Sequence, residues 1–186
     1  MAYPSKTDRE AILAAAMEQV VREGIKGLSL RGLAGTLGLA PNALYRYFAD
    51  RAALEAALSE ESVRRLEAVL RKAAGKKAGE EAVRSIAQAY VRFAREEPEV
   101  FALTMRPCEP EGESDAVHTE LWTFVLEQVG RIYGEKRAPE AAVTLWAFLQ
   151  GMTALESARV FGEKKPVSSF EFGLRMWMRA ATQKVS

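Results

Sequence analysis

The sequence has 186 residues, 26 Lys and Arg against 25 Asp and Glu, and only one cysteine and one histidine. This length suits one or two domains with a substantial hydrophobic core. A single cysteine excludes an intrachain disulfide, and one Cys with one His excludes a zinc site of the usual type. The net charge of +1, taken alone, argues against a nucleic-acid partner.

The amino-terminal residues are polar, and no stretch approaches the roughly 18 apolar residues that a membrane-spanning helix needs. We therefore expect no signal peptide, no contact with a membrane and a cytoplasmic location.

The composition predicts an all-α fold of about nine helices, because alanine is abundant and no stretch alternates apolar and polar residues. A capping box from Thr7 to Glu10 begins the first helix, and Gly24 ends it. Ser29 is the N-cap of a second helix. Pro41 opens a short third helix that reaches about Phe48.

The remaining elements follow the same punctuation by Pro and Gly. Asp50 caps a long fourth helix that stops near Gly75, and later helices begin near Gly79, Pro98, Asp115 and Pro139. The fifth of the nine ends at about Glu96, the sixth at Met105, the seventh at Tyr133 and the eighth at Phe161. A second capping box, from Ser168 to Glu171, opens a last helix that runs to about Gln183. We expect a three-helix domain over 1–50, a connecting helix over 51–75 and a second domain over 76–186.

The charges are distributed unevenly along the chain. Residues 24–51 carry four basic side chains and one acidic one, whereas residues 96–120 carry eight acidic side chains and one basic one. A basic amino-terminal segment is therefore balanced by an acidic segment in the middle of the chain. The neutral total consequently does not exclude DNA as a partner.

Residues 28–54 contain two short helices separated by about four residues, which is the helix-turn-helix arrangement. Gly38 lies at the turn, where a positive φ is expected, and Ala34 leaves room for close helix packing. The third helix presents a polar and aromatic outer face of the kind that enters a major groove.

This segment resembles the TetR (tetracycline-repressor-like) family of transcriptional regulators. The residues that carry the resemblance are Ser29, Leu30, Arg31, Ala34, Gly38, Leu39, Leu44, Tyr45, Tyr47, Phe48 and Leu54. Two departures are Ala40, where the family often has a capping Ser, and Arg51, where Lys is usual. The resemblance implies a homodimeric repressor without a cofactor, which binds a palindromic DNA operator and is released by a small-molecule effector.

We expect the DNA contacts to come from the first fifty or so residues. Asn42 and Arg46 are the candidates for base edges, because Asn pairs well with adenine and Arg with guanine. Phosphate or groove contacts are expected from Lys6, Ser29, Arg31, Pro41, Ala43, Tyr45, Tyr47 and Arg51.

The second half resembles the C-terminal class of that family named for a Trp-His-Gly signature. Residues 90–101 and 145–152 carry this resemblance, but Gln150 replaces the His, so an ionisable group is lost. Aromatic and Met residues on helices expected to converge favour an apolar or aromatic ligand. The candidate ligand-binding residues are Tyr90, Phe93, Phe101, Met105, Trp122, Phe148 and Met152.

The eighth and ninth helices carry apolar residues on more than one face, which predicts a dimer interface in the form of a four-helix bundle. The candidate interface residues are Trp146, Leu155, Phe170, Leu174, Trp177 and Met178.

Other functions fit the sequence less well. The main alternative is a helical module that binds a protein partner without regulating DNA. An enzyme is disfavoured because there is one His, one Cys and no Gly-rich phosphate loop. The segment from Cys108 to His118 lacks the ligand spacing of a zinc site, so we expect no metal.

Overall fold

The computed structural model describes residues 8–106 and 113–181. Within these ranges all the regular secondary structure is helical, which confirms the predicted all-α class. The nine helices are α1 (Arg9–Gly27), α2 (Leu30–Thr36), α3 (Pro41–Leu44), α4 (Arg51–Ala74), α5 (Gly79–Glu96), α6 (Pro98–Thr104), α7 (Glu113–Tyr133), α8 (Ala138–Ser157) and α9 (Val167–Ala180).

The helices form two compact units. The first contains residues 8–65, 97–106 and 113–118, and the second contains residues 66–96 and 119–181. The helix α4 contributes residues to both units, and α6 belongs to the first unit although it follows α5 in the chain.

The first unit is built around α1. Local hydrogen bonds and backbone conformation fix the two ends of α2. The hydroxyl of Ser29 accepts a hydrogen bond from the Gly32 amide at 3.2 Å and so caps α2. At the other end of α2, Gly38 has a φ of 64°, and the Leu39 amide donates to the Ala34 carbonyl at 2.8 Å. This pattern is a Schellman-type C-cap, so the predicted glycine turn is confirmed.

The helix α1 is kinked near its end. Gly24 has φ 72° and ψ 167°, a conformation that is essentially restricted to glycine. The carboxylate of Glu99, in the first turn of α6, lies 3.1 Å from the position that a Cβ of residue 24 would occupy. The helix break predicted at Gly24 is confirmed, but a further turn follows it up to Gly27.

The second unit packs α5 against α8, and α8 against α9. Ala87, Leu145 and Leu174 are almost completely buried in its core. Two ion pairs tie the helices together at the rim. Arg84 of α5 pairs with Glu171 of α9 at 2.7 Å. Arg95 donates two hydrogen bonds of 2.6 Å to the carboxylate of Glu156.

Two of the predicted helix starts were wrong. Asp8, not Thr7, caps α1, because its carboxylate accepts from the Ala11 amide at 2.8 Å; Thr7 lies outside the described residues. The helix α9 begins at Val167, so Ser168 lies inside it and does not cap it. Glu171 cannot complete the predicted capping box because its carboxylate binds Arg84 and Gln88.

Two of the predicted helix ends also differ from the structure. Regular α-helix in α3 stops at Leu44, but backbone hydrogen bonds from Tyr47 and Phe48 to the Leu44 carbonyl continue the turn to the predicted end. The helix α8 ends at Ser157 and not near Phe161, because residues 158–162 form turns in which Arg159 and Gly162 have positive φ. The predicted end of α9 at Gln183 lies outside the described residues.

Among the residues that the structure describes, no helix is long and apolar enough to span a membrane.

We expect Gly24→Ala to lower the free energy of unfolding by roughly 1–3 kcal/mol, because the new side chain is strained at this φ and approaches Glu99. Urea denaturation measures this difference. Gly35→Ala, in the interior of α2 with open space around its Cβ position, is the matched control and should be neutral or slightly stabilising. Equal losses in both variants would contradict the strain at Gly24.

Candidate nucleic-acid interface and effector region

The outer face of α3 and the turn after it carry the exposed polar and aromatic side chains predicted for DNA contact. Leu44 and Phe48 are buried at 2% and 5% exposure, so both belong to the core. Between and around them, Asn42, Tyr45 and Arg46 are exposed. One side of the turn therefore anchors α3 to its unit, while the other side is accessible.

Ala40 and Pro41 form the amino end of α3, and Ala40 stands where the family often has a capping Ser. Ala40 is the N-cap residue and makes no side-chain capping bond, while Pro41 occupies the first turn. Proline fits this position because its fixed φ suits the helix and the missing N–H is not needed there. Pro41 is exposed and Ala43 half-buried, so the first turn of α3 remains accessible.

The start of α2 lies beside this face in sequence. Ser29 and Arg31 are exposed, and the Ser29 hydroxyl oxygen accepts from Gly32. The hydroxyl proton of Ser29 is not used in that bond and is suited to a phosphate oxygen. Tyr47 is 36% exposed, less than Tyr45 at 52%.

Arg51 makes contacts within the protein that the sequence did not indicate. Its three guanidinium nitrogens are bonded inside the protein, to the carbonyl oxygens of Leu28 (2.8 Å) and Ile25 (3.1 Å) and to the carboxylate of Glu55 (2.7 Å). These bonds direct the guanidinium toward the end of α1, so Arg51 holds α4 to α1, and its contact with a phosphate stays a prediction. Glu55 was missed, although the four-residue spacing between Arg51 and Glu55 is a signal for this pair.

Near the amino terminus, the guanidinium of Arg9 lies 5.0 Å from the centre of the Phe48 ring. This cation–π contact packs the first turn of α1 onto Phe48, at the end of the turn that follows α3. Lys6 lies outside the described residues, as does Cys108.

The seven candidate ligand-binding residues divide between the units. Phe101 and Met105 belong to the first unit, and the other five belong to the second. Tyr90, Phe93, Phe101 and Met152 are buried, whereas Met105, Trp122 and Phe148 are half-buried. The convergence of the seven on a ligand remains a prediction.

Phe148 is held by α9. Its ring lies 6.1 Å from that of Phe170 between centroids, and two of its ring atoms would lie 2.5 Å from a Cβ at Gly173. The absence of a side chain at Gly173 is therefore what admits the Phe148 ring. This contact gives Phe148 a packing role between α8 and α9 in addition to any contact with a ligand.

A chain of hydrogen bonds joins Trp146, Tyr90 and Gln150. The indole N–H of Trp146 donates to the Tyr90 hydroxyl at 3.2 Å, and that hydroxyl donates to the Gln150 amide oxygen at 2.8 Å. Burial raises the pKa of Tyr90 to about 12, so the phenol stays neutral and keeps its proton for this bond. The glutamine preserves an acceptor at this position without an ionisable group.

The second unit also has a surface groove of about 470 Å³ that the sequence did not indicate. It is lined by one face of α7 and by the turn before α8. The lining residues are Thr123, Leu126, Glu127, Gly130, Arg131, Glu135, Ala138 and Pro139. None of the seven candidate ligand-binding residues is among them.

The predicted dimer-interface residues separate into a buried group and an exposed group. Phe170, Leu174, Trp177 and Met178 are 0–8% exposed, so they fill the core of their own subunit and the interface prediction was wrong for these four. Trp177 is fixed there because its indole N–H donates to the Ala141 carbonyl at 3.0 Å. Trp146 and Leu155 remain 46% and 41% exposed.

A different stripe of α9 is exposed instead. Phe172 and Met176, one turn apart, are 60% and 50% exposed, and Val143 of α8 is 50% exposed. The sequence did not distinguish the buried face of α9 from the exposed one, and an interface on α8 and α9 stays a prediction. The reason is that both faces are apolar, and periodicity alone does not say which of them the subunit buries.

Comparison with known proteins gives matches in both halves of the chain. Residues 12–58 match the family described as bacterial regulatory proteins, tetR family. Residues 83–177 match the family described as tetracyclin repressor-like, C-terminal domain. A curated relative, the uncharacterized HTH-type transcriptional regulator YobS of Bacillus subtilis (strain 168), is 27% identical over 174 residues, which are 91% of this chain and 90% of YobS.

Solved structures share the fold. A protein of unknown function from Rhodococcus sp. RHA1 is 24% identical, with a TM-score of 0.84 over 98% of this chain and 100% of that chain. A TetR protein from Acinetobacter baumannii AYE in complex with minocycline is 22% identical, with a TM-score of 0.61 over 97% of this chain and 99% of that chain.

We expect the Tyr90 hydroxyl to make stability depend on alkaline pH. Its folded pKa of about 12 lies above the ordinary value of a tyrosine, so its stabilisation is complete below about pH 10 and is lost as pH rises toward 12. Tyr90→Phe should therefore flatten the decline of the free energy of unfolding over this range. Chemical denaturation at several pH values compares the variant with the wild type. Because both proteins contain the same other groups that titrate at alkaline pH, the difference between them reports on Tyr90. Parallel declines would contradict a buried, neutral phenol.

Proposed function

The chain belongs to the tetR family of bacterial regulatory proteins and is a DNA-binding transcriptional regulator; from this premise we propose that it is a repressor that binds a palindromic operator as a homodimer and is released by a small apolar or aromatic effector. The observation that carries the proposal is the exposed row of Asn42, Tyr45 and Arg46 on an α3 that is anchored from behind by Leu44 and Phe48. The family is one of regulators and not of enzymes, and it favours this function over a module that binds only protein.

In this proposal α3 enters the major groove. Asn42 and Arg46 contact base edges, and Tyr45 and Tyr47 contact phosphates on either side. Ser29 and Arg31 bring the start of α2 to a neighbouring phosphate. Two copies of α3 in a dimer lie one helical turn of DNA apart, about 34–36 Å, which requires a palindromic site.

The dimer is supported by the exposed apolar face of α8 and α9. Phe172 and Met176 of α9 and Val143, Trp146 and Leu155 of α8 are each 41–60% exposed. Exposed apolar side chains on two helices that pack together are typical of an interaction surface. A second copy that packs the same two helices against them forms a four-helix bundle with two-fold symmetry.

The effector part of the proposal rests on the aromatic and Met residues predicted from the sequence and on the Tyr90–Gln150 pair. The pair would offer a polar group beside apolar side chains, which is the usual composition of a small-molecule site. The Acinetobacter relative is described with minocycline, an aromatic polycyclic compound, and this supports the ligand class. We propose that α4, which contributes residues to both units, carries the signal between effector and DNA.

Two finer assignments also belong to the proposal. The second half is assigned to the Trp-His-Gly class, with Gln150 in the place of the His. The protein is placed in the cytoplasm, where its DNA target lies.

The function is tested by selection of bound duplexes from a random DNA library with the purified protein. We expect enrichment of a palindromic sequence, bound with an affinity that falls steeply as salt is raised. Recovery of no enriched sequence over several rounds at low salt would overturn the proposal.

We expect Arg46→Ala to weaken binding of the selected duplex by about 1–3 kcal/mol and to relax the preference at one base pair of each half-site, because a bidentate contact to a base is lost. Competition with duplexes substituted at each position measures both effects. Arg22→Ala is the control, since Arg22 is an exposed arginine of the same unit that pairs with Glu23. A loss that is equal for all duplexes would instead assign Arg46 to a phosphate.

We expect Phe172→Glu to shift the protein from dimer to monomer, because a carboxylate would be buried at the proposed interface without a partner. Sedimentation at several concentrations measures the dissociation constant, which should rise by more than about tenfold. Val21→Glu introduces the same charge at a valine of α1 that is 55% exposed, and it should leave the dimer intact. A dimer that survives Phe172→Glu unchanged would place the interface elsewhere.

A further inference from the structure

Glu55 shares its carboxylate between two arginines from different parts of the first unit. The Nε atom of Arg51 donates to one oxygen at 2.7 Å, and the Nη2 atom of Arg106 donates to the other at 2.6 Å. The side chain of Glu55 is only 15% exposed, so solvent screens these contacts less than it screens surface pairs. Both oxygens accept from arginine, and each arginine therefore stabilises the rotamer of Glu55 that the other one requires.

The remaining nitrogens of Arg51 hold the end of α1. They donate to the carbonyls of Leu28 and Ile25, which lie in the last turn of that helix and just beyond it. The Ile25 carbonyl also accepts from the Leu28 amide at 3.3 Å, and a cation at this end of a helix is favoured by the helix dipole. The next residue, Ser29, is the N-cap of α2. The fork of Arg51 thus fixes the chain at the point where it enters the α2–α3 pair.

Arg106 connects Glu55 to the end of α6. Arg106 follows the last turn of α6, and its amide donates to the Leu103 carbonyl at 3.2 Å. The same carbonyl accepts from the buried hydroxyl of Ser59 on α4 at 2.9 Å. The start of α6 contacts the kink of α1, where Glu99 approaches Gly24. A displacement of α6 would therefore act directly on the carboxylate of Glu55.

We propose that Arg106, Glu55 and Arg51 form a positioning relay, through which the end of α6 sets the orientation of the α2–α3 pair and hence the affinity for DNA. The proposal rests on the DNA-binding function proposed above. When Arg106 moves away from Glu55, the Glu55 side chain loses the contact that holds its rotamer. The hydrogen bond between Glu55 and Arg51 then weakens. The α2–α3 pair then spends less time in the orientation that fits DNA, and the apparent affinity falls in proportion.

The relay also explains why this chain has arginine at position 51, where the family usually has lysine. A guanidinium donates in several fixed directions at once and can join two carbonyls and a carboxylate, whereas an ammonium is a compact point charge. Arg51 is accordingly a positioning residue that acts on DNA through α2 and α3.

The test compares five variants, one of them a control, with the wild type on a fluorescent duplex selected from the random library. Glu55→Gln, Arg106→Gln and the double variant should each bind about ten-fold more weakly, and the double variant no more weakly than the worse single one, because all three break the same relay. Arg106→Lys should retain most of the affinity, since a cation still reaches Glu55. The control is Arg65→Gln, which removes an i,i+4 ion pair with Glu61 on the same helix and should bind as the wild type does.

The salt dependence of binding separates positioning from direct contact. Arg51→Ala should lower the affinity by at least about ten-fold, while the slope of log K against log salt stays at the wild-type value. A slope that is smaller by about 0.9 would instead assign Arg51 to a phosphate and overturn the relay. Wild-type affinity in both Glu55→Gln and Arg106→Gln would overturn it as well.

A measurement without DNA keeps the relay distinct from the proposed function. Hydrogen exchange of the amides of residues 29–48 should be faster in Glu55→Gln and Arg106→Gln than in the wild type, while exchange in the second unit is unchanged. Unchanged exchange in residues 29–48 would overturn the relay whether or not the protein binds a duplex. If a glutamine variant fails to fold by circular dichroism, Glu55→Asp provides the same comparison, because its shorter side chain keeps the charge but does not reach both arginines.

Discussion

The orientation of α2 and α3 depends on the guanidinium group of Arg51. Arg51 stands at the first residue of α4 and donates to two carbonyl oxygens at the end of α1. The last carbonyls of a helix are incompletely satisfied within it, and a cation at this end is favoured by the helix dipole. The α2–α3 pair lies in the chain between these two points, so its ends are held together by a charge-assisted contact.

Side-chain hydrogen bonds and ion pairs also fix the helices of the second unit. Tyr90 is buried, yet its hydroxyl accepts from Trp146 and donates to Gln150. An unsatisfied hydroxyl at this depth would cost about 1–3 kcal/mol, so the three side chains specify one arrangement of α5 against α8. Arg84 and Arg95 form ion pairs that link α5 to α9 and to α8 respectively. Apolar burial supplies the stability of this unit, and these contacts select its helix register.

Much of the fold could be predicted because its signals are local. Ser29 caps α2 and Asp50 caps α4 through bonds that span three residues, and Pro41 opens α3 through its fixed φ. Errors arose where a local pattern competed with a distant partner. Glu171 satisfies the spacing of a capping box, but the charge of Arg84, 87 positions away, binds its carboxylate. In α9 the apolar stripe of Phe170, Leu174 and Trp177 was assigned to a second subunit, although its own subunit buries it.

The sequence by itself determined the helical class, the helix-turn-helix segment and the residues that face outward from α3. Those features follow from capping, from the positive φ of Gly38 and from helical periodicity, all of which act within a few residues. Only the tertiary structure decided that Arg51 binds the carbonyls at the end of α1. It also decided that Glu55 joins Arg51 to Arg106, which lies 51 positions after Glu55 in the chain. An arginine has the same charge and reach whether it binds a phosphate or a carbonyl. Its role is therefore set by which acceptors the fold brings near it.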